Sequence, residues 1–189
     1  MKFVKKFKSK DGWLKTHTYR ELVLGAHLCS SDHQARYEMK LDSQKPDWSI
    51  FGYDEKIKAI VELTSFHSPK VIEDGFENSL NSKGSWFGWH SNNADRLYHS
   101  IQDKIIDYKN LVVKYELAFV VAVFSQPPAD IQIAELRECL FDKSTGLFKD
   151  YPELSGVLLF KEGAGNYFPQ NYYFEYIENP EPLREFKLP

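Results

Sequence analysis

The chain runs from Leu117 to Phe124 without one polar side chain. A segment like this has no face to turn toward water, so it predicts a strand covered on both faces. The seven residues Ala118 to Phe124 form its longest apolar run. They fall far short of the roughly 20 that a membrane-crossing helix needs, and Pro127-Pro128 ends the run. The remaining sequence must therefore build an α/β or α+β layer around one mixed sheet.

The other elements fit that layer. Thr18 to Leu28 reads as a short helix with Thr18 as its cap, carrying Tyr19, Leu22, Leu24, Ala26 and Leu28. Ala35 to Leu41 alternates loosely, with Tyr37, Met39 and Leu41 on one side, and predicts a strand. Trp48 to Phe51 and Ile57 to Leu63 are strands joined by turn chemistry at Gly52 to Lys56, a β-hairpin. Ser65 to Asn93 reads as a long loop. Asn93 is placed to cap a helix reaching about Lys109, with Leu97, Ile101, Ile105 and Tyr108 as its buried stripe. Ile131 to Phe141 reads as a second such helix, with Leu136 and Leu140 inward. Ser155 to Phe160 and Tyr172 to Ile177 are two late strands. The order is helix, three strands, helix, strand, helix, two strands, in a single domain over 1–189.

Composition narrows the function classes. The 189 residues include 24 Lys plus Arg and 27 Asp plus Glu, for a net charge of -3. That balance argues against a constitutive, charge-driven nucleic-acid binder and leaves room for a local basic groove. With 42% hydrophobic and 27% charged residues, the chain is not disordered as a whole. Cys29 and Cys139 form no disulfide framework or zinc spacing and read as two buried thiols in a reducing compartment. The basic N-terminus has no apolar segment behind it, so it is not a secretory signal. The expected location is cytoplasmic.

The chemistry sits in the hairpin, at Pro46-Asp47 and Glu62-Leu63-Thr64. With the turn centred on Asp54 and Glu55, partner numbers sum to about 109, which sets residue 47 opposite residue 62. A slip of one residue would set it opposite 64. Two acidic side chains distant in sequence then stand side by side, on Cα atoms roughly 4.5 to 5.5 Å apart. Like charges so opposed are destabilising unless something positive lies between them. Mg²⁺ or Mn²⁺, hard cations that take carboxylate oxygens, would serve. Two solvated residues on an exposed edge is the plainer alternative. Strand alternation puts Ile60, Glu62 and Thr64 on one face and Val61 and Leu63 on the other.

Pro46-Asp47 followed by Glu62-Leu63-Thr64 resembles the metal-site signature of the PD-(D/E)XK nuclease superfamily, the restriction-endonuclease-like fold. The resemblance covers about residues 18 to 124, and 131 to 179 extend it. It implies that Asp47 and Glu62 ligate Mg²⁺ or Mn²⁺, with the Leu63 backbone carbonyl as a third ligand. It also implies an acidic residue from the first helix, here Glu21, and hydrolysis of a phosphodiester bond in DNA or RNA. The family pattern has Lys where this chain has Thr64. A hydroxyl positions water but brings no cation. In some relatives the lysine comes from the following helix, and Lys104 is the candidate here. Its spacing to Tyr108 is similar to the family's Gln-x-x-x-Tyr element. The alternative is a silent relative that binds or assembles without cutting.

Other features carry less. Lys83, Trp86 and Trp89, with Phe87 and His90, suit base stacking on an unpaired strand. A loop pinned to the body explains them as well. Lysines 2, 5, 6, 8, 10 and 15 form a basic arm over 1–15 that can track phosphates, though a solvated terminus is the simpler reading. His27 and His33 flank Cys29 without zinc spacing. Gly163-Ala164-Gly165 reads as a hairpin turn. The aromatics between Tyr167 and Tyr176 read as alternating strand burial, with a homodimer contact as the second reading.

Overall fold

The computed structural model describes residues 2–9, 12–30, 33–67, 74–75, 78–79, 81–82, 93–125, 131–163 and 171–188. Lys83, Trp86, Phe87, Trp89 and His90 lie outside the described residues. The chain order is α1 (Lys2–Phe7), α2 (Gly12–Ser30), β1 (Gln34–Tyr37), β2 (Trp48–Phe51), β3 (Ile57–Phe66), α3 (Asn93–Tyr115), β4 (Ala118–Ser125), α4 (Ile133–Phe141), α5 (Leu147–Asp150), β5 (Gly156–Glu162) and β6 (Tyr172–Glu178). The six strands form one sheet in sequence order. β3, β4 and β5 run parallel, and the outer pairs are antiparallel. The fold is mixed α/β, a six-stranded mixed sheet flanked by helices.

Every residue of β4 is buried, the apolar run Ala118 to Phe124 and Ser125 after it alike. Its alternate side chains feed two cores. Phe119, Val121 and Val123 join Leu97, Ile101 and Ile105 of α3 and Leu136 and Leu140 of α4. Val120, Ala122 and Phe124 join Leu24 and Leu28 of α2 on the opposite face. Among the described residues no helix is long and apolar enough to cross a membrane.

Several boundaries differ from the sequence expectation. α2 begins at Gly12, and Thr18 does not cap it. Thr18 lies buried inside the helix and donates its hydroxyl to the Leu14 carbonyl at 2.6 Å, so its polar atom is satisfied without a helix end. Tyr19 and Ala26 face outward, while Arg20 and Glu21 are buried. β1 stops at Tyr37 because Glu38 takes a left-handed φ of 44°. Leu41 and Gln44 then bridge a tight turn in which Asp42 is also left-handed. α3 continues past Lys109 to Tyr115, because Leu111 and Val112 extend its buried stripe. Asn93 is its first residue, and its buried Oδ1 accepts no hydrogen bond among the described residues, so it shows no side-chain cap there. The left-handed Glu116 ends α3, with Leu117 N–H donating back to the Val112 carbonyl at 3.0 Å.

Two further expectations change. Cys139 is buried but Cys29 is exposed, on the outer side of α2 beside the inward Leu28. The basic arm is not simply solvated, because α1 turns Lys6 and Phe3 inward. β5 and β6 pair antiparallel, with Gly163 N–H donating to the Asn171 carbonyl beyond the strands, while Ala164 and Gly165 of the expected turn lie outside the described residues. The strand aromatics are largely consumed inside the fold. Phe174 stacks on Phe160 and on His27, and Tyr176 donates to the Phe186 carbonyl at 2.8 Å.

Candidate active site

The β2–β3 hairpin has the expected register. Trp48 pairs with Val61, Ser49 with Ile60 and Ile50 with Ala59, and the shift between Ile50 and Phe51 comes only near the turn. β2 ends at Trp48 while β3 continues past Val61. Beyond that point the Asp47 side chain takes over from the missing strand. Its Oδ2 accepts the Leu63 N–H at 2.8 Å, and Asp47 N–H donates to Glu62 Oε1 at 2.9 Å. The Asp47 carbonyl accepts the Glu38 N–H at 2.9 Å from the β1 side. Asp47 is thus held from both neighbouring segments, its carboxylate on the Leu63 N–H and its own N–H on the Glu62 carboxylate.

α3 delivers the cation. Lys104 Nζ stands 2.9 Å from Glu62 Oε2, and Glu62 itself is only 3% exposed. Tyr108, one turn further on, also hydrogen-bonds Glu62. Burial, then Glu62, hold the Tyr108 phenol above its ordinary range, so it remains a donor. Burial pulls the Lys104 ammonium down, but Glu62, with help from Asp47, outweighs it and leaves the group raised and charged. Burial and the neighbouring Glu62 charge push the Asp47 carboxyl up to about 7, against the lowering effect of its bond to Leu63. Thr64 follows on the Glu62 face of β3, as strand alternation requires.

Glu21 reaches the same corner from the opposite face of the sheet. α2 sits close on β2, because Trp48 occupies the space a Cβ at Gly25 would fill, 2.0 Å from its ring. Trp48 also donates its indole N–H to the Glu21 carbonyl at 3.0 Å. The Glu21 charge contributes to the raised Asp47. Its oxygens, however, are engaged elsewhere. Tyr37 OH donates to Oε2 at 2.6 Å, Lys6 Nζ lies 3.1 and 3.2 Å from the two oxygens, and His17 Nε2 is 3.6 Å from Oε1. Burial lowers the His17 pKa, with Glu21 opposing that shift.

The structure therefore brings together Asp47, Glu62, the Leu63 backbone and Lys104, with Thr64 adjacent and Glu21 close but occupied. Lys6, His17 and Tyr37 are site residues that sequence reading did not single out. Tyr37 had a visible signal as an aromatic on one side of an expected strand, with Met39 and Leu41, whereas Lys6 was one lysine among many. The donor set suits a hard divalent cation. Mg²⁺ is commonly held by one or two carboxylates while keeping several waters, and here two carboxylates meet beside a backbone edge. Among the described residues, no group of three or more His, Cys, Asp or Glu side chains is arranged to hold a metal ion. Comparison with protein-family models, curated proteins and solved structures returns no match.

Proposed function

We propose that this chain is a metal-dependent nuclease of the restriction-endonuclease-like, PD-(D/E)XK type, hydrolysing phosphodiester bonds in DNA or RNA. The observation that carries the reading is the Lys104 ammonium 2.9 Å from Glu62. It supplies, from the following helix, the cation that Thr64 lacks. Lys104 lies 42 residues along the chain from Glu62 and is brought onto a nearly buried carboxylate.

In this reading Asp47 and Glu62 hold Mg²⁺ or Mn²⁺, with the Leu63 carbonyl as a third ligand. An ion held there would supply a water of lowered pKa and stabilise charge on a phosphate oxygen. Lys104 offsets charge at Glu62 and orients the attacking water, which Thr64 helps to position by its hydroxyl. Tyr108 and the Leu63 N–H fix the two carboxylates, so little reorganisation is needed at the moment of reaction.

Asp47→Ala and Glu62→Ala are each expected to abolish Mn²⁺-dependent cleavage of plasmid or single-stranded DNA and RNA. Lys104→Ala should lower kcat by about 100-fold. Full cleavage in either carboxylate variant would remove the site. Mn²⁺ binding by calorimetry, with no cleavage of any of these substrates, would favour the silent module instead.

A further inference from the structure

We propose that α1 is a displaceable latch, in which the Lys6 ammonium neutralises Glu21 and keeps it from the cation site. The inference rests on the reading of Asp47 and Glu62 as that site. Lys6 Nζ contacts both Glu21 oxygens, at 3.1 and 3.2 Å, and Glu38 Oε1 at 2.9 Å. It also donates to the Tyr37 hydroxyl, which in turn donates to Glu21 Oε2. Glu21 is 1% exposed and acts electrostatically on Asp47, so its charge is part of the same acidic corner. With Lys6 in place, Glu21 is neutralised. With Lys6 gone, the Glu21 charge that acts on Asp47 loses its nearest cation and requires another.

The latch is built to open. α1 has six residues, too few to be stable as an isolated helix. Its hold on the body consists mainly of Lys6 and of Phe3, which stacks on Tyr37 at 3.9 Å and lies 6.3 Å from Trp48. Val4 and Phe7 remain 44% and 37% exposed, so the other apolar side chains described in α1 are only partly covered. A divalent ion drawing on Glu21 and the Lys6 ammonium then exclude each other. Thermodynamic linkage makes this reciprocal: the ion loosens α1, and loosening α1 tightens the ion.

The test uses the full chain and Mn²⁺ alone. Lys6→Met should bind Mn²⁺ about fivefold or more tightly than wild type by calorimetry. Phe3→Ala, which loosens the latch from its other contact, should shift affinity the same way. In wild type, saturating Mn²⁺ should speed trypsin cleavage after Lys5 and Lys8 several-fold, and it should not do so in Asp47→Asn. The latch is overturned if both variants bind Mn²⁺ within twofold of wild type and cleavage in α1 ignores the ion. In that case the cation site itself stands. Absence of Mn²⁺ binding in wild type and both variants overturns the site and the latch together.

Discussion

Asp47 holds a proton up to about neutral pH because it is buried beside Glu62, and that has a consequence for stability. Its folded pKa of about 7 lies above the ordinary value of 3.8. Between those values the folded chain binds more protons than the unfolded one, so stability falls as pH rises through the window. Asp47→Asn keeps an acceptor for the Leu63 N–H and removes the ionisation. Without added metal, it should raise Tm by a few degrees at pH 8, about 1 to 2 kcal/mol, and by much less at pH 5. Thermal melts at the two pH values check this, and an equal shift at both would separate the effect from charge. In the proposed nuclease this would be stability given up at a functional position, a common trade. Glu62 is met by Lys104 and Tyr108, which no hairpin argument could locate, since both come from a distant helix.

At the scale of elements, α2 and the β2–β3 hairpin position each other through Gly25 and Trp48. Glycine inside an exposed helix is ordinarily worse than alanine by roughly 1 kcal/mol. Here a Cβ would meet the Trp48 ring at 2.0 Å. Gly25→Ala should therefore lower Tm, by an overpacking cost of about 1 to 3 kcal/mol, and weaken Mn²⁺ binding by moving Glu21 and Asp47 apart. Urea titration alongside calorimetry reads both effects. The elements themselves were largely legible. The β2–β3 register followed from turn chemistry at Gly52 to Lys56, and β4 from its unbroken apolar composition. Helix ends were less so. α2 gained a first turn and a half that carries no apolar period, and its inward face includes Thr18, Arg20 and Glu21, which a hydrophobic pattern cannot reveal. Arg20 is kept there by Ser65 Oγ at 3.1 Å and by the Phe124 ring at 4.3 Å.

At the scale of the molecule, β4 divides the interior into two cores, and Cys139 belongs to the one beneath α3 and α4. Burial pushes its thiol up to about 12, whereas Cys29 is exposed. Under native conditions an alkylating reagent should modify Cys29 readily and Cys139 slower by about a thousandfold or more, because Cys139 reacts through opening of the core. Mass spectrometry of the labelled chain measures both rates. The difference between the two cysteines was hidden in the sequence, because the low amphipathic contrast of α2 does not say which side of Leu28 faces out. The sheet order has a last consequence, for the route by which the chain folds. Asp47 and Glu62 meet through a local hairpin, whereas Lys104 arrives on a crossover helix that must first close a longer loop. Pairing the two anions therefore costs less loop entropy than bringing their counter-ion to them.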